Sequence, residues 1–253
     1  MIKAGLADTP LKLELYTNTE LRRLTSRVKA LIIPLGSIEQ HSSHLPVGTD
    51  YIIAYELAIR TARKLLKEGI LTLVAPPIPY GVSIEWLGQG NYTISLTPQT
   101  YALILKEIVR NIVSLGFKNI ILLNAHGGNR YILEVIAQEL ALSSNAKIIV
   151  VHWWEIISTE LAKYTSQGKL LHAGEVETSL ALALGIRVID TNKYEYIDMN
   201  RMPWEGKGYS IYTKENMNIV GKAIGNPVRA SKEKGELLLN AIINKLIEII
   251  RKL

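Results

Sequence analysis

The chain of 253 residues contains no cysteine, and this absence narrows its chemistry. Without cysteine there is no disulfide framework and no thiolate ligand for a metal ion. Any metal ion would therefore have to be bound by histidine, aspartate and glutamate side chains. The lack of disulfides also favours the cytoplasm as the location of the protein.

Long apolar runs are missing as well. No segment is apolar over the length needed to cross a bilayer, and the first residues do not have the layout of a signal peptide. Hydrophobic residues make up 48% of the chain and charged residues 21%, which is typical of a soluble globular protein. We expect one domain spanning residues 1–253, without a membrane partner.

The net charge of +6 is the one compositional feature that suggests an acidic partner such as nucleic acid. The lysines and arginines are dispersed, however, and in stretches 64–68 and 232–234 they stand beside acidic residues, as on a solvated helix face. We therefore expect no nucleic-acid partner. A nucleic-acid-binding module would instead show oligonucleotide affinity that falls steeply with salt.

Apolar runs and turn residues alternate along the chain. The pattern predicts strands at 30–35, 70–75, 119–123 and 147–151, and helices at 50–68, 98–115, 130–142, 180–184 and 234–251. Thr19 is expected to cap a short helical piece, and Thr97 to cap the helix that follows it. The alternation predicts the α/β class, as a three-layer α/β/α sandwich with a largely parallel central sheet.

Two regions leave alternatives open. The long segment 187–231 is punctuated by glycine and proline, and such a segment is functional, lies in an interface or hides short elements. The last helix has a wide apolar stripe from Leu237 to Ile250, so it is either deeply buried or part of a subunit interface.

Four of the five histidines lie in three short polar clusters, at 36–50, 124–129 and 171–179. The first two clusters directly follow predicted strands, and in parallel sheets sites form beyond the carboxyl ends of strands. A single histidine near a strand end is usually structural. Four histidines grouped with several carboxylates favour a site for Zn, Mn or Fe, because imidazole and carboxylate oxygen are ligands for these ions.

The motifs themselves have a recognisable order. Glu39-Gln40-His41-x-x-His44-Leu45-Pro46-x-x-Thr49-Asp50 resembles the signature of the creatininase family of metal-dependent amidohydrolases. The stretches 124–129 and 172–179 resemble the second and third motifs of that family, and 93–98 and 221–231 resemble further family segments. The resemblance extends over most of the chain.

The resemblance implies a site with two divalent metal ions, Zn, Mn or Fe. Glu39, Asp50 and His126 would bind one ion. His41 and Asp50 would bind the other, with Asp50 bridging the pair and Glu177 as a further ligand. A water activated by the two ions would then attack a carbonyl or amidine carbon, so no serine or cysteine nucleophile is needed.

A departing nitrogen needs a proton, and His172 is the expected acid/base group, with Glu175 as the second choice. Glu175 is equally well explained as a first-turn carboxylate that the helix dipole stabilises. His44 is expected to support the ligands or to contact the substrate rather than to bind metal.

Four further residues are candidates for substrate binding. Gly127, Gly128 and Asn129 begin a helix and could receive an oxyanion or a phosphate on backbone amides, although a tight turn explains them too. Trp154 is a candidate pocket wall, and the alternative is that it belongs to the core.

Three positions depart from the family pattern. Members that hydrolyse creatinine carry a metal-binding glutamate where this chain has Gly128, which argues against creatinine as the substrate. Ser42-Ser43 replaces a usual Gly-Pro, and Trp86 stands where a histidine often follows Ser-x-Glu. The Ser42-Ser43 pair and Trp86 are expected to lie near the pocket.

The sequence therefore predicts a metal-dependent hydrolase that cleaves a non-peptide C–N bond in a small molecule. The most specific expectation is a deformylase acting on a formamidopyrimidine ribotide of flavin or deazaflavin biosynthesis. The alternatives are creatinine hydrolysis, trimming of a peptide-derived redox cofactor, and a non-catalytic metal- or nucleotide-binding protein on the same scaffold. The resemblance also implies a homo-oligomer, often a hexamer.

Overall fold

The computed structural model of the protein describes residues 10–88, 90–189, 196–197, 205–206, 209–210, 213 and 222–253. In these residues the helices are α1 (Asn18–Leu24), α2 (Thr49–Lys67), α3 (Pro98–Ser114), α4 (Arg130–Leu142), α5 (Ser158–Tyr164), α6 (Glu175–Leu184) and α7 (Lys232–Arg251). The strands are β1 (Ala30–Leu35), β2 (Thr72–Val74), β3 (Asn119–Asn124), β4 (Lys147–His152), β5 (Tyr196–Ile197), β6 (Glu205–Gly206), β7 (Tyr209–Ser210) and β8 (Ala223–Ile224).

The first four strands form one parallel sheet in the order β2-β1-β3-β4. In its register Leu31 of β1 pairs with Leu73 of β2 on one side and with Ile120 of β3 on the other. All six residues of β1 are buried, as expected for a parallel strand covered by helices on both faces. The predicted α/β sandwich with a parallel central sheet is confirmed.

Alternate side chains of β1 enter two separate cores. Ile32 packs with α2, α5, α6 and α7 on one face of the sheet, whereas Leu31 and Ile33 pack with α3 and α4 on the other. This division follows from the two-residue period of a strand, whose successive side chains point to opposite faces. The sheet and its two helical layers therefore hold the strand ends in fixed positions.

The apolar stripe of α7 is buried within the chain. Leu238, Ile242 and Leu246 are fully buried in the core that α7 shares with α2 and α6. A Cβ atom on Gly235 would lie 1.9 Å from the carbonyl oxygen of Ser179, so glycine allows α7 to cross α6 at very close range. Apart from the exposed Leu237, the stripe packs within the chain, so of the two alternatives burial is the correct one.

Several element boundaries differ from the predicted ones. The N-cap of α1 is Thr17, not Thr19, because Thr17 and Glu20 form a reciprocal capping box. Helix α6 begins at Glu175 rather than Leu180, and α5 was not predicted. Thr97 caps α3 as predicted, its side chain accepting from the Thr100 amide.

More than half of the segment 187–231 lies outside the described residues. Of the stretch 221–231, only residue 221 lies outside them. The described parts of the segment 187–231 form two short pairs, β5 with β8 in parallel and β6 with β7 in antiparallel orientation. Of the three alternatives for this segment, the presence of short elements agrees with these pairs. A search of the described helices for a membrane span, by length and apolar character, finds none.

Candidate metal centre

Glycine at the end of β1 allows a carboxylate to approach the strand end. A Cβ atom on Gly36 would lie 2.3 Å from the backbone nitrogen of Tyr51, so a larger residue would push α2 away. Asp50 is in the first turn of α2, where the helix dipole favours a negative charge. The loop between β1 and α2 carries Glu39 and His41, and it places them against Asp50.

The neighbouring strand supplies His126. In the sheet register Asn124, the last residue of β3, pairs with Leu35, the last residue of β1. His126 follows two residues later, and the Asn124 side chain holds it by donating to its carbonyl oxygen and accepting from its amide. The two strand ends therefore bring the first and second polar clusters together.

Three of these side chains converge on one point. His126 Nδ1 lies 3.2 Å from Glu39 Oε2 and 3.2 Å from Asp50 Oδ2. All three side chains are buried, and neither carboxylate oxygen has a hydrogen-bond partner among the described residues. Buried carboxylate oxygens are costly when they are left without a partner. We call Glu39, Asp50 and His126 the His126 half.

The tautomer of His126 shows what this half can bind. His126 Nε2 lies 2.8 Å from the carbonyl oxygen of Val82, which can only accept, so Nε2 carries the hydrogen. In the neutral ring, Nδ1 then presents a lone pair to the two carboxylate oxygens. Three lone pairs facing one another fit a cation, and a ligand histidine held by its other nitrogen is the usual arrangement at metal sites.

A second group of lone pairs lies on the other side of Asp50. His41 Nδ1 is 3.1 Å from the carbonyl oxygen of Glu39 and donates to it, which directs Nε2 toward the carboxylates. His41 Nε2 lies 3.0 Å from Asp50 Oδ1 and 3.8 Å from Glu177 Oε2. We call His41, Asp50 and Glu177 the His41 half. Asp50 thus offers one oxygen to each half.

The pKa values follow from this crowding of buried charges. Burial lowers the pKa of His41, but Asp50 and Glu177 raise it more strongly, to about 10. Burial likewise opposes protonation of His126, and Glu39 and Asp50 nevertheless hold its pKa well above the usual value. Burial raises the pKa of Glu177 to about 8. Protons therefore occupy both halves when no cation is bound, and a metal ion would displace them.

His172 also reaches the cluster. Its Nε2 lies 2.7 Å from the carbonyl oxygen of Gln40 and its Nδ1 lies 3.4 Å from Glu39 Oε1. The ring stacks on Trp86 with centroids 4.0 Å apart. Burial and the nearby His41 hold the pKa of His172 well below its usual value. Glu39, His41 and His172 form a further group with ligand atoms close enough to share an ion.

The two glutamates at the start of α6 point to different places. Glu177 faces His41, and its Oε2 accepts from the Ala173 amide at 2.5 Å. Glu175 instead pairs with Lys234 of α7 at 2.5 Å and accepts from the amide of Ser166. Burial raises the pKa of Glu175, but these partners lower it by more. The structure therefore does not bring Glu175 to the cluster of candidate metal ligands.

Two non-glycine residues next to cluster histidines have left-handed backbone conformations. Ser42, which follows His41, has φ +58°, and Ala173, which follows His172, has φ +51°. Such conformations cost about 1 kcal/mol or more, and they persist where the surroundings hold them. Both turn the chain sharply beside a candidate ligand.

The remaining substrate-binding candidates take mainly structural positions. His44 is buried, with Nε2 3.0 Å from Thr178 Oγ1, and burial lowers its pKa to about 4. Asn129 is buried too, accepting from the Val82 amide and donating to the carbonyl oxygen of Gly36. Gly127 is exposed, whereas a Cβ atom on Gly128 would lie 1.9 Å from the carbonyl oxygen of Val82.

Trp154 lies on the β4 side of the fold rather than in the cluster. It stacks on His152, with ring centroids 5.3 Å apart, and packs against the core of the α2 and α7 face. His152 in turn bonds to Asn124 and Glu134. Of the two interpretations of Trp154, its contacts agree with the core.

The segment 82–86 supplies site residues that the sequence analysis did not assign. Ser83 Oγ lies 3.0 Å from His126 Nε2, and Glu85 Oε1 lies 4.0 Å from the same nitrogen. Trp86 covers His172, as described above. Within this segment Ile84–Trp86 form a short 3-10 turn, and the segment has no hydrophobic periodicity. The sequence signal available was therefore the departure at Trp86 from the family pattern.

Curated proteins similar to the chain have related activities. The chain is 27% identical over 241 residues to creatinine amidohydrolase of Pseudomonas putida, with 88% of each chain covered. It is 32% identical to the mycofactocin precursor peptide peptidase of Mycobacterium ulcerans, covering 71% of this chain and 68% of that one. It is 28% identical to a 2-amino-5-formylamino-6-ribosylaminopyrimidin-4(3H)-one 5'-monophosphate deformylase of Methanococcus maripaludis, covering 88% and 90%.

Solved structures of creatininases share the fold of this chain. A structure described as creatininase Mn superposes with a TM-score of 0.76 at 24% identity, covering 96% of this chain and 98% of that one. A creatininase mutant of the Zn-Zn type has a TM-score of 0.76 at 22% identity and the same coverage. The family profile Creatininase, described as creatinine amidohydrolase, matches residues 14–250. The chain therefore belongs to the creatininase family.

Proposed function

We propose that this creatininase-family hydrolase cleaves a non-peptide C–N bond of a small molecule with the help of two divalent ions. One observation carries the proposal: Asp50 offers one oxygen to each of two groups of converging lone pairs. The His126 half would hold one ion and the His41 half the other. Zn, Mn and Fe all suit these ligands, and the Mn and Zn-Zn forms of related structures support the choice.

When bound, two divalent ions polarise the carbonyl group under attack and lower the pKa of the attacking water. The protein contributes fixed ligands, because Val82 and Glu39 each hold one histidine by its other nitrogen. It also excludes bulk water, since the side chains of Glu39, Asp50 and His126 are at most 3% exposed. Charges in such a dry site interact more strongly than in water.

His172 is our candidate for the group that supplies the proton needed by the departing nitrogen. Its Nε2 donates to Gln40, so Nδ1 is the nitrogen that faces the cluster and can exchange a proton there. Glu175, the second candidate, is engaged by Lys234 and Ser166 on another side of α6. We therefore propose His172 as the acid/base group and assign Glu175 to holding the start of α6 in place.

Within the family, a formylaminopyrimidine ribotide is our preferred substrate. Gly128 cannot carry a side chain, because Val82 occupies the space, so the metal-binding glutamate of creatinine-hydrolysing members has no place here. The open face at Gly127 could receive the ribotide phosphate on backbone amides. Arg130, at the start of α4, is partly exposed and pairs with Glu155 at 2.6 Å. Similarity to the Methanococcus deformylase over most of both chains supports this choice.

Metal analysis combined with a hydrolysis panel tests the proposal. The panel contains a formylaminopyrimidine ribotide, creatinine and short peptides, and we expect release of formate from the ribotide by a protein with two ions per chain. Turnover of creatinine or of a peptide instead would select one of the other family activities. Bound metal without turnover of any amide, formamide or lactam would favour the non-catalytic alternative.

Two expectations about assembly remain proposals. We propose that residues 1–253 act as one catalytic unit, which the extent of the family match supports. We also retain the homo-oligomer, often a hexamer, that the family resemblance implies. Its interface must use a surface other than the apolar stripe of α7, which is buried within the chain. Light scattering coupled to size exclusion measures the number of subunits directly.

A further inference from the structure

The segment 82–86 lies directly over Gly128. A Cβ atom at Gly128 would be 1.9 Å from the carbonyl oxygen of Val82 and 3.0 Å from Glu85 Oε1. The space that a side chain at position 128 would fill is thus taken by the Val82 carbonyl oxygen and by His126 Nε2, and the Glu85 carboxylate lies beside them. Glu85 adds a carboxylate to the site without being part of the buried cluster.

Exposure separates Glu85 from the other site carboxylates. Its side chain is 30% exposed, whereas Glu39 and Asp50 are 2% exposed and Glu177 is 6% exposed. Among the described residues, the groups with ligand atoms close enough to share an ion do not include Glu85. Glu85 therefore lies at the rim of the site and is more accessible to solvent than the buried carboxylates.

One imidazole ring separates the rim from the cluster. Glu85 Oε1 is 4.0 Å from His126 Nε2, and the opposite nitrogen of the same ring is 3.2 Å from both Glu39 and Asp50. Glu85 thus lies on the Nε2 side of His126, and the width of that ring separates it from the cluster. His126 Nε2 already donates its hydrogen to the carbonyl oxygen of Val82, so it does not donate this hydrogen to Glu85.

The backbone on both sides of Glu85 is fixed. The Val82 amide donates to Asn129 Oδ1 at 2.9 Å, and the Ser83 amide donates to Ser95 Oγ at 2.8 Å. On the other side, buried Trp86 stacks on His172. The carboxylate therefore projects from a rigid support, which is what selective recognition requires.

We propose that Glu85 recognises the substrate by accepting two hydrogen bonds from neighbouring N–H groups on one edge of a heterocycle. A carboxylate binds such an edge with two parallel, charge-assisted hydrogen bonds. The 2-amino group and the N3–H of a 2-aminopyrimidin-4(3H)-one form an edge of this kind. This inference rests on the proposed function and adds to it the residue that selects the base.

Steady-state kinetics on two matched substrates test the inference. One is the formylaminopyrimidine ribotide, and the other is its analogue lacking the 2-amino group. We expect the unaltered protein to prefer the amino compound by about 10- to 100-fold in kcat/KM, mainly through KM, as a hydrogen bond to a charged group predicts. In Glu85→Gln this preference should fall to within about threefold, because the loss of charge weakens the hydrogen bonds from the 2-amino edge.

Metal content is the second measurement. Glu85→Gln should bind as much metal as the unaltered protein, since Glu85 is a recognition residue and not a ligand. Glu107→Gln, which removes an exposed carboxylate on α3, is the matched control and should change neither quantity. If Glu85→Gln keeps the full preference for the amino compound, or loses metal, the inference is wrong.

Binding of the deformylated product separates this inference from the proposed function. If the unaltered protein hydrolyses neither ribotide, the proposed substrate is wrong, and calorimetry with the 2-aminopyrimidine product still tests Glu85. Binding at least about tenfold tighter to the unaltered protein than to Glu85→Gln supports recognition of the edge. Equal affinity, or no binding by either protein, overturns it.

Discussion

The two halves of the cluster share Asp50 but differ in how their oxygens are satisfied. In the His126 half, Glu39 Oε2 and Asp50 Oδ2 have no hydrogen-bond partner among the described residues. In the His41 half, Glu177 Oε2 already accepts from the Ala173 amide, and burial raises the pKa of Glu177 to about 8. The His126 half thus has more buried carboxylate oxygens without a hydrogen-bond partner, and we expect it to bind the first ion more tightly.

The halves also differ in their supports. The His126 half stands on β1, α2 and β3, whose positions the central sheet fixes. The His41 half depends in addition on the first turn of α6, which is held by Lys234 of α7 through Glu175. Substitutions far from the cluster should therefore weaken binding of the second ion, in the His41 half, more than binding of the first.

Removing the shared carboxylate has the largest expected effect. Asp50→Ala should lose both ions and nearly all turnover, a loss well beyond the roughly 10- to 100-fold caused by removing an outer partner of a ligand. Inductively coupled plasma mass spectrometry of the purified variant measures the ions. Full occupancy in Asp50→Ala would show that Asp50 is not the bridge.

Glu177→Gln should break only one half. The variant keeps the shape of the side chain but loses its charge, so we expect about one ion per chain instead of two, together with reduced turnover. Glu39→Gln is the matched comparison, because it should lose the tighter ion of the His126 half. Loss of both ions from Glu177→Gln would mean that the halves bind metal as a single unit.

The pH dependence of metal binding should differ between the halves. With pKa values of about 10 for His41 and about 8 for Glu177, the His41 half carries two protons at neutral pH, both of which metal must displace. In the His126 half the pKa of His126 is raised, so metal must displace its proton, whereas the pKa of the shared Asp50 is lowered. Affinity should rise with pH in both halves, by about tenfold more per pH unit in the His41 half below pH 8. Competition titrations between pH 6 and 8 measure the two slopes.

Gly128→Ala has the smallest expected effect, and it acts on the His126 half. Its Cβ would meet the backbone of Val82, which holds His126, so we expect a loss of about 1 to 3 kcal/mol in the free energy of unfolding. Gly127→Ala is the control, because nothing lies within 4 Å of its added Cβ. Equal denaturant midpoints for the two variants would contradict the close approach of the segment 82–86.

The convergence of the first two polar clusters could be predicted because it depends on topology. Strands 30–35 and 119–123 were visible as apolar runs, and parallel strands bring their carboxyl ends to one edge. The opposite roles of Glu175 and Glu177 were harder to predict, because α6 was expected to begin only at Leu180. Two residues apart on a helix are about 200° apart around its axis, so only one of the two can face the cluster.

The segment 82–86 could not have been placed from the sequence. It belongs to no long strand or helix, and its position depends on a contact with Gly128 that is distant in the chain. Hydrophobic periodicity carries no information about such contacts. The rim of the site was therefore less predictable than the buried candidate ligands.

Because α7 is synthesised last among the described elements, the two halves of the cluster differ in when the elements that support them are synthesised. Glu39, Asp50 and His126 all leave the ribosome before α7, and the sheet that positions them is complete by then. Helix α6, which carries Glu177, is crossed by α7 at Gly235. If two ions bind as proposed, the ligands of the first are thus all synthesised before α7, whereas the second site also depends on the contact between α6 and the final helix.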